Sequence, residues 1–284
     1  MNGQQQLDLF ETAETRSLLD KLLSDSRLYK KSKHYKELLD FVVRMRNFAP
    51  FNAMLLEVQK PGLSHAASAK DWQERFGRYP KEGARPLLIM WPFGPVALVY
   101  DVLDTDGPGP APSVFTATGA IDDERMASFP PLLAKVRIDW HWMDQGDYCA
   151  GSIRIVERRE DCSNSYRMNV NKNHSTPVQF STLTHELGHL LMGHLGADTK
   201  LKIQDRSWLT KEIRELEAES VSYIVCSRNG IEPRAEVYLN GYVTEKTEVD
   251  DIDVYGIMTA AGKIESMLKI AATTRFERPP ATRR

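Results

Sequence analysis

The run His185-Glu186-Leu187-Gly188-His189 constrains this chain more than any other feature. It fits H-E-x-x-H, a pattern whose chemistry works only on a helix. Residues four apart lie on one helical face, one turn along, so the two imidazoles point at one ion. Glu186 follows the first histidine directly and stands beside that ion, placed to take a proton from an activated water. The flanks predict a helix over about 177–193. Thr176 is placed to cap it, Pro177 to take its first position, and Gly193 or Gly196 to end it. Phe180, Leu183, Leu187 and Leu190 form its core-facing stripe. The expectation is a Zn2+ site with His185 and His189 as ligands and Glu186 as general base.

A third ligand is needed. His194 lies five residues past His189, about 140° around a continuing helix, and reads as a helix-end histidine. The longer H-E-x-x-H-x-x-G-x-x-H pattern fails, because Met192 stands at its glycine position. The acids Glu212, Glu215, Glu217 and Glu219 fall on a helix expected over 210–228. There Ile213, Leu216, Tyr223 and Ile224 mark an apolar face, and Glu215 and Glu219 share a stripe beside it with Ser222 and Cys226. Small residues on that stripe let the helix approach the histidines closely. Glu215 is therefore the expected third ligand, and Glu219, one turn on, the expected acceptor for a ligand imidazole. Glu212 and Glu217 read as solvated. Tyr223, Tyr242 and Tyr255 are candidates to stabilise an oxyanion, with nothing in the sequence to choose among them.

The rest of the chain bounds the setting. Its 284 residues fit one large or two ordinary domains. Net charge is −2, yet Arg27–Arg85 holds 13 Lys/Arg against 6 Asp/Glu, so a basic face is expected in the first third. Three cysteines, Cys149, Cys162 and Cys226, make neither a disulfide framework nor a zinc finger, and favour a cytoplasmic setting. The uncharged stretch Pro86–Tyr100 is too short and too Pro/Gly-broken for a membrane helix. Helices are expected near 14–25, 28–46, 50–59, 68–76, 122–136 and 249–271. Strands are expected over Pro86–Met90, Val96–Val102, 148–156 and 165–171. The stretch near Arg167–Asn171 is taken as the sheet edge that pairs with an extended peptide. The Gly/Pro-rich run 104–113 marks a domain boundary.

The C-terminal motifs, His185-Glu186-Leu187-Gly188-His189 followed by Glu215-Leu216-Glu217-Ala218-Glu219-Ser220-Val221, resemble the ImmA/IrrE metallo-endopeptidases. In that group H-E-x-x-H precedes a helix with E-x-x-A-(N/D/E), and the resemblance implies Glu215 as the zinc ligand. The N-terminal run Arg46-Asn47-Phe48-Ala49-Pro50-Phe51-Asn52-Ala53-Met54-Leu55-Leu56, with Trp72 and Gly77-Arg78-Tyr79-Pro80-Lys81-Glu82-Gly83, is similar to ArdC-type antirestriction proteins. These resemblances imply an α+β chain. A flexible tail (1–12) leads into a small α+β, single-stranded-DNA-binding-like domain (13–115), then a zincin-like metallopeptidase domain (116–272) and a disordered tail (273–284). They imply a zinc peptidase of a mobile element or phage that acts on a host or regulatory protein. The alternative they leave is a non-catalytic single-stranded DNA-binding antirestriction protein with a structural or vestigial zinc.

Single strands are held by basic grooves with stacking rings. The expected cations are Arg44, Arg46, Lys81 and Arg85. The ring candidates are Phe48, Phe51, Trp72, Phe76 and Tyr79, with Trp72 and Phe76 favoured as core. Finally, Gln6-Leu7-Asp8-Leu9-Phe10 resembles the pentapeptide that binds bacterial sliding clamps, with Leu9 and Phe10 as apolar anchors.

Overall fold

The computed structural model describes residues 32–91, 94–108, 121–145, 150–231 and 252–271. Gln6–Phe10, the helix expected near 14–25, Cys149, Tyr242 and the Arg-rich tail lie outside these residues. Helices and sheets are mixed, an α+β architecture. The described residues divide into two units: 40–91 and 94–108 belong to one, and 32–39, 121–145, 150–231 and 252–271 to the other. Helix α1 (Ser32–Arg44) spans the division. Its apolar side chains are buried: Tyr35, Leu38 and Leu39 on the part that belongs to the second unit, Phe41 and Val42 on the other.

In the first unit, α2 (Pro50–Gln59) starts on Pro50, whose fixed φ suits a first helical turn. Strand β1 (Ala66–Ala67) precedes α3 (Ala69–Phe76), which is capped by Ser68 and closed by Gly77 in the left-handed conformation. A small pair, β2 (Tyr79–Pro80) with β5 (Thr105–Asp106), stands apart from a three-stranded sheet. That sheet runs β1–β4–β3, with β3 (Leu87–Trp91) and β4 (Gly94–Asp101) antiparallel. Side chains of α2 satisfy the outer edge of β3. The Asn52 amide brackets Met90 and the Gln59 amide brackets Leu88, each giving one hydrogen bond and taking one. An open strand edge invites foreign pairing, and this one is closed by its own helix. Trp72 is fully buried and donates its indole N–H to the Tyr100 carbonyl at 2.8 Å.

In the second unit, the helix expected over 122–136 is two short ones, α4 (Asp123–Ala127) and α5 (Phe129–Ala134). Pro130 and Pro131 lack N–H donors, so they can open a new helix but not continue the old one. The sheet contains β6 (Ile138–Met143), β7 (Gly151–Glu157) and β8 (Ser165–Asn171). Its order is β6–β8–β7, with β6 parallel and β7 antiparallel to β8. This corrects the expected peptide edge: Arg167–Asn171 lies in the middle strand, and the edges are β6 and β7. The two long helices are α6 (Thr176–Leu191) and α7 (Lys211–Arg228), and α8 (Val254–Met267) packs against both. Helices α6 and α7 meet at Gly188, where an added Cβ would stand 3.2 Å from Ala218 backbone atoms.

Arg228 at the end of α7 is buried against buried Glu265 of α8, with Nε 2.6 Å from the carboxylate. Replacing Glu265 by Ala takes the nearest carboxylate away from a guanidinium buried in the core. The expected loss is about 3–5 kcal/mol, read as a lower urea midpoint. Replacement of both residues by Met is expected to recover most of it, whereas an equal loss in the double variant would count against the pair.

Candidate metal centre

Helix α6 presents His185 and His189 on one side, and α7 faces them with Glu215. Ser175 takes the cap position, one residue earlier than expected, and the helix closes at Gly193, whose φ is +79°. The two Nε2 atoms are 3.1 Å apart, and Glu215 Oε2 is 3.5 Å from that of His185 and 3.6 Å from that of His189. A tetrahedral ion with bonds of about 2.0–2.2 Å sets its ligand atoms about 3.3–3.6 Å apart. The three donors form such a triangle, and the mixed imidazole–carboxylate set suits zinc.

The electrostatics also call for a cation at this point. Burial opposes a charged His185, but Glu215 and Glu219 outweigh it and push its pKa up to about 10. Burial, reinforced by His185 and His194, pushes His189 down to about 3. The His185 imidazole holds the Glu215 carboxyl down to about 2. A proton on His185 meets this demand in the protein alone, and a metal ion could meet it instead by filling the same triangle.

Glu186 lies beside the triangle. Its Oε2 accepts the Ile153 N–H at 2.9 Å, and burial raises its pKa. In the β7–β8 ladder the Asn171 N–H donates to the Ala150 carbonyl, so by antiparallel alternation the Ile153 N–H points off the open side of β7. Among the described residues no strand pairs with the outer edge of β7, and that edge runs past Glu186. Glu219 Oε1 stands 3.1 Å from His185 Nδ1 but off the N–H direction, an electrostatic contact rather than an aligned hydrogen bond.

Two side chains have parts that the sequence reading does not assign. Glu217 is buried, not solvated, and His194, just past the helix end, is also buried. His194 Nδ1 is 2.9 Å from His189 Nδ1, and its Nε2 is 2.9 Å from Glu217 Oε2. Arg206 grips the same carboxylate at 2.8 and 2.7 Å. The turn that brings His194 back depends on Gly193, since a Cβ there would stand 2.1 Å from the Gln204 carbonyl oxygen. Gly193→Ala is expected to cost more than the ~1–3 kcal/mol of a left-handed non-glycine residue, and to weaken zinc binding along with the melting temperature. A variant with unchanged stability would mean the turn tolerates a side chain.

The remaining expected residues fall as follows. Arg44 is exposed, with its guanidinium 5.6 Å from the Phe41 ring centroid. Arg46 is half-buried and Arg85 is exposed. Lys81 donates to the Leu103 carbonyl at 2.9 Å and lies 3.9 Å from Asp106. Of the rings, Phe48 and Trp72 are core, and Tyr79 is 53% exposed. Among the described residues no helix is long and apolar enough to cross a membrane.

No curated protein matches the chain. Among solved structures, it is similar to the metal-free crystal structure of the antirestriction protein ArdC from plasmid R388. The two are 16% identical, with a TM-score of 0.36 over 79% of this chain and 84% of that one. The IrrE N-terminal-like domain model of the peptidase M78 family matches residues 150–243, a span that holds β7, β8, α6 and α7 and with them every residue of the triangle. The expected likeness to ImmA/IrrE proteins is borne out there as a match of residues 150–243 to the IrrE N-terminal-like domain of the peptidase M78 family.

Proposed function

We propose that this chain is a zinc-dependent endopeptidase. The observation that carries the reading is the His185–His189–Glu215 triangle, with its 3.1, 3.5 and 3.6 Å edges and Glu186 beside it. His185, His189 and Glu215 hold the ion. Zinc, when bound, supplies Lewis-acid polarisation of a carbonyl and of water. Glu186 takes the proton from the attacking water and hands it to the leaving amine. Its raised pKa suits that double duty, because a base nearer neutrality also returns its proton readily. The Ile153 N–H holds the carboxylate in place. An extended peptide pairs along the open edge of β7, so its scissile bond arrives beside Glu186.

The first unit serves as a single-stranded DNA-binding module, a reading supported by exposed Arg44, Lys81 and Arg85, the last two close in sequence to exposed Tyr79. Gln6–Phe10 tethers the chain to a sliding clamp. In the second reading, the protein binds DNA and its zinc is structural.

The test is metal content by mass spectrometry, followed by a quenched-fluorescent peptide library. About one zinc per chain, as a single three-ligand site requires, and zinc-dependent cleavage are expected. Absence of zinc from carefully handled protein would sink the peptidase reading. Zinc without cleavage would favour the second.

A further inference from the structure

The chain His189–His194–Glu217–Arg206, buried at His194 and Glu217, serves no step assigned above, yet a neutral His194 fits its neighbours in only one way. Glu217 is an acceptor with about four lone-pair sites when ionised. Four donors meet it: His194 Nε2 and Arg206 Nη1 at Oε2, and Arg206 Nη2 and the Asp253 N–H at Oε1, all within 2.9 Å. Arginine and a backbone amide only donate, so this carboxylate only accepts. The proton of a neutral His194 must then lie on Nε2, since the other tautomer would set a lone pair against the carboxylate. Its Nδ1 is left bare, 2.9 Å from His189 Nδ1. His189 must therefore carry its own proton on Nδ1, and its Nε2 lone pair is turned to His185 Nε2 and Glu215, the centre of the triangle.

We infer that His194 is a positioning residue for the metal: it fixes the tautomer and ring orientation of His189 by accepting its Nδ1–H, and is itself fixed by the Glu217–Arg206 pair. The inference rests on the metal reading above. Ligand imidazoles usually give their second N–H to a carboxylate, a carbonyl or water. Here the acceptor is a second imidazole, and the carboxylate stands one link further back. That spacing keeps the anionic charge away from the ion while still setting the proton pattern. His185 has no such support, since Glu219 sits off its N–H direction. The two ligand histidines are thus held unequally, and His189 is the preorganised one. Gly193 makes the arrangement possible by turning the chain so that the ring five residues on meets His189, and Arg206 is pinned to the same turn through its N–H to the Gly193 carbonyl.

The test uses the full chain. Zinc dissociation constants are measured by chelator competition for the unaltered protein, His194→Phe and His194→Asn, beside thermal melts of the metal-free proteins. His194→Phe keeps the bulk of the ring without an acceptor, and is expected to weaken zinc about 10–100-fold. His194→Asn can return an oxygen acceptor to His189, and is expected to lie between. Ring-nitrogen NMR on the unaltered zinc-loaded protein is expected to find His194 protonated on Nε2 and bare on Nδ1, a readout that does not depend on any variant folding. Unchanged zinc affinity in His194→Phe, or the opposite tautomer, would overturn the inference and leave the metal centre standing. Failure of the unaltered protein to bind zinc would remove the metal reading, and the role of His194 with it.

Discussion

Glu186→Gln is expected to keep about one zinc per chain and to lose peptide cleavage by about 10²- to 10⁴-fold, the range that a positioned general base contributes. The two effects separate because Glu186 is not one of the triangle's corners. Its Oε2 is occupied by the Ile153 N–H, and the ligand atoms belong to His185, His189 and Glu215. Glutamine keeps the length of the side chain, and its carbonyl oxygen can still accept from Ile153, so folding and zinc binding have little reason to change. It cannot take a proton from water. The loss should therefore fall on kcat rather than on KM, since the interaction removed exists only as the proton moves. Cleavage that survives in a zinc-loaded Glu186→Gln protein would mean another base, and the peptidase mechanism drawn here would fail. If neither protein cleaves any peptide while both bind single-stranded DNA equally, the zinc is structural.

What the sequence makes legible follows the range of the interactions concerned. The spacing of His185, Glu186 and His189 is a helix property, and α6 forms with Pro177 in its first turn and Gly193 just past its end, its cap one residue before Thr176. The stripe of Glu215 and Glu219 is a property of α7 alone, and both acids face His185. Glu217 is different. On its own helix it looks solvated, and it is buried by a histidine past the end of α6, an arginine from a loop and a backbone amide at Asp253. No local period reports such a meeting. The one available hint was the excess of His194 and Arg206 over what an exposed turn needs, which is weak. Strand β6 is a miss of another kind. Ile138, Trp140 and Trp142 alternate with Asp139 and His141, a readable period of two, but the segment follows a helix that the sequence reading runs to residue 136. Without β6 the sheet loses its third strand, and β8 passes for an edge. Adding β6 moves β8 to the middle and shifts the peptide edge to β7, the strand that touches Glu186.

Glu215→Gln is expected to reduce zinc from about one per chain to almost none, because a three-ligand site loses its only anionic corner. Glu219→Gln is expected to keep about one zinc per chain with only a small loss of affinity, because Glu219 gives His185 an electrostatic contact and no aligned hydrogen bond. The geometry gives the two acids unlike parts. Glu215 Oε2 is nearly equidistant from both Nε2 atoms, at 3.5 and 3.6 Å. Glu219 Oε1 approaches His185 from its Nδ1 side, and the two nitrogens of an imidazole point away from each other, so it cannot share an ion with Nε2 of the same ring. Charge alone would not separate them, since both acids push the pKa of His185 up. Position does, and so the contrast between the variants tests the triangle rather than the acidity of its surroundings. Zinc lost from Glu219→Gln but kept in Glu215→Gln would reverse the assignment, and would require His185 to bind through Nδ1. Equal losses in both, with unchanged melting of the metal-free proteins, would mean that the site responds to total negative charge and that no single carboxylate is the third ligand.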